Sequence, residues 1–168
     1  MVVHTKPTLA RSEPMDACPV HALRKRLRSA QLRPTRQRVA LGWLLFAKGN
    51  RHVTAEMLFD EAKAIRVPVS IATVYNTLHQ FAEAGLVREI AVEGSKAFFD
   101  TNPRPHGHFL FEDSGSLVDI PTKLELAQPP QTPDGYEMGR LEVVIHLRRT
   151  GSTLVGEGQN AAGPGVLA

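Results

Sequence analysis

The chain has 168 residues, 42% of them hydrophobic and 22% charged, and a formal net charge of +3 at pH 7. This length and composition are typical of one good globular core or two small ones. No apolar run reaches the roughly eighteen residues of a membrane-spanning helix, and the start of the chain lacks the apolar stretch of a secretory signal. Its one cysteine, Cys18, has no partner for an internal disulfide, so we expect a cytoplasmic protein with no membrane partner.

Charge is distributed unevenly along the chain. Residues 1–51 contain eleven Lys and Arg against two acidic residues, a balance of +9, so the remainder carries −6. A basic run is often only a solvated surface, but it is also the footprint of a protein that binds the phosphate backbone. The asymmetry therefore favours one end that meets nucleic acid and another end with a different task.

The first half of the chain predicts helices. Residues 1–17 resemble a loose tail. A first helix with a basic outer side is predicted from apolar residues at helical spacing: Val20, Leu23, Leu27 and Ala30. Thr35 is a good N-cap for a second helix that ends at Gly49 and Asn50. The apolar residues of this second helix include Val39, Trp43 and Phe46.

Two further helices are predicted between residues 54 and 85. Thr54 and Ser70 are suitable N-caps, and Pro68 separates the two helices. The second has an apolar face formed by Val74, Leu78 and Phe81. Its opposite side carries short hydrogen-bonding groups and a phenol, namely Thr73, Tyr75, Asn76 and His79. Gly85 supplies a left-handed stop. An ordinary helical hairpin with a solvated face would give the same pattern.

A two-strand ribbon follows the helices. Residues 86–92 and 96–100 are predicted strands, and Glu93, Gly94 and Ser95 form the turn between them. Three helices followed by a ribbon predict a winged helix, and the basic flank makes duplex DNA the favoured partner.

The second half predicts a small α/β unit. After a linker at 102–105, strands are predicted at 106–111 and 117–120, a short helix at 122–128, and a long alternating strand at 136–149. We thus predict an α+β chain with a flexible tail (1–17), a winged helix-turn-helix domain (18–101), a dimerisation and sensor domain (102–150) and a second tail (151–168).

Two short motifs suggest ligand chemistry. His106 and His108 are two apart on a predicted strand, so both rings would point to one side and could hold a divalent metal or offer an axial ligand to haem iron. Cys18 is followed by Pro19, and a thiolate is a good ligand for ferric haem, with His21 near enough to assist. Each motif alone is also a common accident of sequence.

Several segments resemble the ferric uptake regulator (Fur) family in order and spacing, and within it the iron response regulator (Irr) branch. They are LRPTRQRVALGWLLF, RHVTAEMLFDEA, SIATVYNTL with AGLVREI, and KAFFDTNPRPHGHFLFEDSGSLVDI. The resemblance implies a bacterial homodimeric transcription factor that binds operator DNA and controls genes of haem synthesis and iron handling. It implies an N-terminal winged helix and a C-terminal dimerisation domain.

The resemblance also implies functional residues. The DNA contacts would be Arg33, Thr35, Arg36, Arg38, Ser70, Thr73, Tyr75 and Asn76. Tyr75 matches a base-contacting tyrosine, whereas Asn76 departs from the arginine common in the wider family and suits adenine better. A divalent metal (Fe, Mn or Zn) would bind His52, Asp100, His106 and His108, with Asp119 a weaker candidate. Haem would contact Cys18, His21, His106 and His108, and its binding would weaken the grip on DNA.

Two positions depart from the family pattern. Phe111 and Ser114 stand where relatives often have a Cys-x-x-Cys pair, and neither binds zinc well, so we expect no structural zinc site of four cysteines. Gly107 replaces an acidic residue that often lies between the two histidines, which weakens the analogy with a plain Fe(II) sensor.

Other functions remain open from the sequence. A regulator of the same fold that senses Mn(II), Zn(II) or peroxide is the nearest alternative, followed by a haem carrier without a regulatory role. A metal-dependent hydrolase is disfavoured because the chain has no nucleophile elbow and no phosphate-cradling loop. We therefore expect no catalytic residues.

Overall fold

The computed structural model describes residues 19–92, 97–125, 127–128 and 130–150, which form four helices and six strands. The helices are α1 (Pro19–Ser29), α2 (Arg36–Phe46), α3 (Ala55–Ala64) and α4 (Ile71–Glu83). The strands are β1 (His52–Val53), β2 (Arg88–Ile90), β3 (Phe98–Asp100), β4 (His108–Phe111), β5 (Ser116–Asp119) and β6 (Val144–Leu147). None of these helices is long and apolar enough to cross a membrane.

All three predicted N-caps are confirmed. The hydroxyl oxygens of Thr35, Thr54 and Ser70 accept hydrogen bonds of 3.2 to 3.3 Å from the backbone N–H three residues further on. Each bond satisfies an amide that the first helical turn leaves without a partner. Gly85 has φ +69°, as expected for a residue that ends α4 in the left-handed region.

The helices pack around one apolar core, largely as the spacing predicts. Val74, Leu78 and Phe81 of α4 are fully buried. Two of the apolar residues that mark the predicted helices lie outside this core. Val20 is 41% exposed because it lies at the start of α1, one turn before the buried part of that helix. Trp43 is 37% exposed because α2 buries its other side, including Leu41, Leu44 and Leu45.

The first sheet has the strand order β1-β3-β2. Its β2–β3 ribbon is the predicted antiparallel pair, although each strand is only three residues long. The predicted turn at residues 93–95 lies outside the described residues, as does residue 96 at the start of the second predicted strand. The short strand β1, which the sequence did not reveal, pairs with the other side of β3. The order of helices α2, α3 and α4 followed by the β2–β3 ribbon confirms the predicted winged helix.

The second sheet has the strand order β5-β4-β6, with β4–β5 antiparallel as predicted and β4–β6 parallel. The predicted strand 136–149 is wrong outside 144–147. Residues 141 and 142 instead contact Arg88 of the first sheet. The predicted helix 122–128 is also wrong, because its described residues are not helical. The side chain of Leu124 lies over Gly107 but remains 43% exposed.

A second apolar cluster joins the two sheets. It contains Ile90, Val92 and Phe98 from the first sheet region and Leu110 and Leu117 from the second. This shared core fixes one edge of the winged-helix unit against β4 and β5. The side chains at that edge come close together for this reason.

Arg51 ties the loop after α2 to helix α3. Its guanidinium donates two hydrogen bonds to the carboxylate of Glu61, at 2.5 and 3.0 Å, and Lys48 lies 3.1 Å from the same carboxylate. A paired fork of this kind fixes geometry as well as charge. The pKa of Glu61 is held below its ordinary value, chiefly by the hydrogen bonds from Arg51.

The free energy of unfolding is expected to fall more steeply between about pH 6 and about pH 3 in the wild type than in Glu61→Gln. A carboxyl whose folded-state pKa is depressed stabilises the fold fully above its unfolded-state pKa, and this stabilisation disappears as pH falls through the folded-state value. Urea unfolding at both pH values measures the difference. Glu125→Gln, which removes an exposed acid, should follow the wild type; identical pH dependence in Glu61→Gln would contradict the prediction.

Candidate metal centre and nucleic-acid interface

Five side chains converge where the two sheets meet. Their nitrogen and oxygen ligand atoms all lie within 4.8 Å of one another. The five-residue cluster consists of His52, Asp100, His106, His108 and Asp119. It contains all four metal ligands predicted from the sequence, and it adds Asp119, which the sequence ranked below them.

Strand pairing explains why these residues meet. His52 of β1 lies directly opposite Asp100 of β3, and His108 of β4 lies directly opposite Asp119 of β5. Directly opposed residues on neighbouring strands have their Cβ atoms about 5 Å apart. The shared apolar core then brings the two pairs together. His106 lies just before β4 rather than on it, so the predicted strand begins two residues too early.

Asp119 and Asp100 each approach more than one imidazole. The Oδ1 atom of Asp119 is 2.8 Å from Nε2 of His52, 3.0 Å from Nε2 of His106 and 3.7 Å from Nε2 of His108. The Oδ2 atom of Asp100 is 3.2 Å from Nε2 of His106 and 3.7 Å from Nε2 of His108. Three nitrogens and two oxygens thus face a common centre.

Hydrogen bonds outside the cluster orient two of the ligands. The Nδ1–H of His106 donates to the carbonyl oxygen of Arg104 at 2.7 Å, because a carbonyl can only accept. In the neutral ring this leaves the Nε2 lone pair pointing into the cluster. The backbone N–H of Asn102 donates to Oδ1 of Asp100 at 2.8 Å, so Oδ2 is the atom that faces inward. Such outer partners typically orient metal ligands.

Several inward atoms are buried without a hydrogen bond. Within the described residues, Nε2 of His52, Nε2 of His108 and Oδ2 of Asp100 have none, although His52 approaches Asp119 closely. Leaving buried polar atoms unsatisfied is costly, and a cation would satisfy all three at once. Burial is the main cause that lowers the pKa of His52, against the opposing effect of Asp100 and Asp119. A lowered pKa favours the neutral imidazole that binds metal.

The donor set fits a small divalent ion better than haem. Imidazole and carboxylate donors together suit Fe(II), Mn(II) or Zn(II). A porphyrin needs open space beside its axial ligand, whereas the side chain of His108 is only 2% exposed and that of His106 is 15% exposed. The other two predicted haem ligands are not in the cluster: His21 is exposed on α1, and Cys18 lies outside the described residues.

The predicted DNA-reading face of α4 is accessible in part. Asn76 is exposed, and Tyr75 and Thr73 are half-buried. The hydroxyl of Tyr75 donates a 2.8 Å hydrogen bond to Oε1 of Glu56 on α3. The hydroxyls of Ser70 and Thr73 lie 2.9 Å apart at the start of the helix. Side-chain hydroxyls and one amide therefore form most of this polar surface.

The predicted phosphate contacts of α2 divide into two kinds. Arg33 and Arg36 are exposed. The guanidinium of Arg38 instead donates to Oε1 of Gln80 at 2.7 and 3.1 Å and to the carbonyl of Arg33 at 2.9 Å. Arg38 thus joins α2 to α4, and Thr35 serves as an N-cap. Arg38 therefore positions α4 against α2, whereas Thr35 stabilises the start of α2.

Sequence reasoning missed two residues that the structure places at these surfaces. Glu56 lies in the first turn of α3, and only the packing of α3 against α4 brings it to Tyr75. Arg88 was not singled out in the predicted ribbon, but its side chain is 7% exposed and reaches Glu142. In the structure Arg88 lies directly opposite Asp100 of β3.

The structure is that of a two-part winged-helix protein of the α+β class. One part is a helix-turn-helix followed by a short ribbon, the other is a second small sheet, and the histidine and carboxylate cluster lies where the two parts meet. The chain belongs to the Ferric uptake regulator family, whose profile matches residues 29–145. This family is the one expected from the sequence, and it is a family of regulators rather than enzymes.

Individual relatives agree with this assignment. The peroxide-responsive repressor PerR of Staphylococcus aureus is 34% identical over 94 residues, which are 56% of this chain and 63% of that protein. The match therefore spans less than two thirds of that relative. The ferric uptake regulator of Pseudomonas aeruginosa, solved with manganese, is 25% identical with a TM-score of 0.58 and covers 76% of this chain and 97% of its own.

A further solved structure shows the fold alone. The ferric uptake regulator of Vibrio cholerae is 22% identical with a TM-score of 0.56, over 73% of this chain and 96% of its own. These similarities support the family as a whole. They do not single out the iron response regulator branch, which stays a prediction.

Proposed function

We propose that the chain is a metal-responsive transcription regulator that binds operator DNA as a homodimer. The five-residue cluster is the sensor, and α4 is the helix that enters the major groove. The main observation in support of this proposal is that the candidate metal ligands come from both sheets. His52 and Asp100 belong to the winged-helix sheet, whereas His108 and Asp119 belong to the second sheet.

A metal bound by both sheets would fix the angle between them. A ligand shifts a conformational equilibrium only by its different affinity for the two states, and the arrangement with all five donors together binds metal best. Strand β1 ends directly before Thr54, the N-cap of α3, so the metal ligand His52 is coupled by the backbone to the helix-turn-helix. Metal binding and DNA binding should therefore stabilise each other.

Charge and exposure support DNA as the partner. The winged-helix unit carries exposed basic side chains on α1, just before α2 and at the first residue of α2, namely Arg24, Lys25, Arg28, Arg33 and Arg36. Each cation that neutralises a phosphate releases counterions and strengthens binding at low salt. The exposed Asn76 then supplies base-edge contacts from α4, as asparagine pairs well with adenine.

The second sheet offers a surface for a second copy. Leu110 and Leu117 point into the shared core, while neighbouring positions on the other face are apolar and exposed: Phe111 (37%), Val118 (47%) and Ile145 (40%). A contiguous exposed apolar patch marks an interaction site. We propose that this face is the dimer contact, which would place two reading helices on successive turns of the duplex.

The proposed input is a divalent ion, with Mn(II), Fe(II) and Zn(II) as candidates. The donor set supports this choice over haem, and the Pseudomonas relative was solved with manganese. Haem binding at Cys18 and His21 stays a prediction of the resemblance. A haemin titration tests this prediction. If Cys18→Ala gives the same Soret band as the wild type, Cys18 is not a haem ligand.

One binding experiment tests the function. A duplex is selected from a randomised library with the wild-type protein, and its affinity is measured by fluorescence anisotropy with Mn(II), Fe(II), Zn(II), haemin or a chelator. We expect tight binding with at least one divalent ion, at least about tenfold weaker binding with chelator, and a complex whose mass by light scattering contains two chains. Affinity that is the same for every duplex, or unaffected by any metal, would contradict the proposal.

A further inference from the structure

The hydroxyl of Tyr75 is already engaged within the protein. It donates its one hydrogen to Oε1 of Glu56 at 2.8 Å. A phenol carries a single O–H donor and otherwise offers only oxygen lone pairs. While this bond persists, Tyr75 can accept a hydrogen bond from another group but has no proton left to donate.

The bond to Glu56 is built into the fold. Glu56 lies in the first turn of α3, directly after the N-cap Thr54, and Tyr75 lies on the side of α4 that faces this turn. The hydrogen bond from the phenol to Glu56 is the main cause that raises the pKa of Tyr75. The phenol is therefore protonated at neutral pH and continues to donate to the carboxylate.

Neighbouring contacts limit the freedom of the Tyr75 ring. The ring packs partly on the apolar core, and its centroid lies 6.4 Å from the ring of His79 in a stacked arrangement. The ring of His79 in turn meets Phe99 edge-on, and its Nδ1 lies 3.2 Å from Glu89. Turning the hydroxyl toward a new acceptor would break a charge-assisted hydrogen bond, the stronger class of such bonds.

We propose that Glu56 is a specificity-determining residue that makes Tyr75 a hydrogen-bond acceptor toward DNA. The inference rests on the proposed function, in which α4 reads the major groove. In that groove only adenine N6 and cytosine N4 present amino donors, whereas guanine O6 and N7, thymine O4 and adenine N7 present acceptors. Tyr75 held by Glu56 selects a base with an amino group. Freed from Glu56, the same phenol could donate to guanine or thymine.

The test measures base preference at one position. A duplex is first selected with the wild-type protein in Mn(II). The base pair that the Tyr75 hydroxyl reads is then identified as the position at which Tyr75→Phe loses the base preference of the wild type. All four base pairs are then compared at that position. The wild type is expected to favour adenine or cytosine on the strand that Tyr75 faces by about tenfold. Glu56→Ala is expected to shift the ratio toward guanine or thymine by at least about threefold. Glu56→Gln should shift the ratio less, because its amide oxygen can still accept the hydrogen bond from the phenol.

Controls separate this role from general effects. Removing an acid near DNA raises affinity for every duplex, so the readout is the ratio between bases rather than the affinity itself. Glu83→Gln removes an exposed acid at the end of the same reading helix and should leave the ratio unchanged. Glu56→Ala should have no effect on the ratio in a Tyr75→Phe background, because the two residues act through one hydrogen bond. Thermal unfolding and Mn(II) titration confirm that each variant is folded.

The failures are distinguishable. Wild-type protein that selects no duplex would overturn the proposed function and this inference with it. Selective wild-type binding that is unchanged at every position by Tyr75→Phe, or a base ratio that Glu56→Ala leaves intact, would overturn only the inference.

Discussion

Replacing His108 by alanine is expected to weaken Mn(II) binding by at least about 100-fold, since loss of even an outer partner of a metal ligand typically costs 10- to 100-fold. The ring of His108 is almost fully buried, and its Nε2 points into the five-residue cluster with no hydrogen bond from the part of the chain that the structure describes. Isothermal titration calorimetry measures the affinity. At a Mn(II) concentration of about 100 Kd, the wild type should gain about 2.7 kcal/mol of unfolding free energy that the variant lacks.

A histidine outside the cluster provides the matched control for this variant. His146 on β6 is 44% exposed and lies 3.3 Å from Glu112, so His146→Ala should bind Mn(II) as the wild type does. Because His108→Ala also removes buried volume, the nearly isosteric Asp100→Asn is a second test. Asp100 is fully buried, and Asp100→Asn should keep its metal-free stability at pH above the histidine range while losing the gain with Mn(II). Unchanged affinity in both variants would show that the cluster is not the metal site.

Arg88→Met is expected to lower the free energy of unfolding by about 3 kcal/mol, the range for breaking a buried ion pair from one side. The side chain of Arg88 is 7% exposed, and it donates to Glu142 at 3.2 Å and to the carbonyls of Leu141 and Arg104 at 3.0 and 3.4 Å. These acceptors lie in the linker and in the segment before β6. Methionine keeps most of the volume but leaves them without their donor. Urea unfolding of the metal-free protein measures the loss.

Arg140 offers a control on the same partner. Its guanidinium lies 3.2 Å from Glu142 but is 60% exposed, so Arg140→Met should cost less than about 1 kcal/mol. Because Arg88 joins the winged-helix sheet to the second sheet, Arg88→Met should also reduce the metal dependence of DNA binding. If the two arginine variants lose the same free energy of unfolding, the burial of Arg88 does not increase its contribution to stability.

The local features of the winged helix could be predicted from the sequence because their causes are local. An N-cap acts within three residues, a glycine stop within one, and the apolar face of α4 follows from the helical repeat of Val74, Leu78 and Phe81. The strand predicted from the alternating residues 136–149 was mostly wrong because its structure depends on contacts with residues far away in the chain. Only 144–147 find a strand partner, since Arg88, distant in sequence, contacts residues 141 and 142.

The amino-acid sequence by itself determined the four helices of the winged-helix unit, where the basic surface begins and which residue types are available to bind a metal. Only the tertiary structure decided how they combine. Strand β1 is two residues long and exists because β3 pairs with it, and that pairing places His52 opposite Asp100. Asp119 joins the cluster because β5 pairs with β4, and Glu56 meets Tyr75 because α3 packs on α4. Such contacts depend on residues far apart in the chain, and local sequence patterns therefore do not predict them.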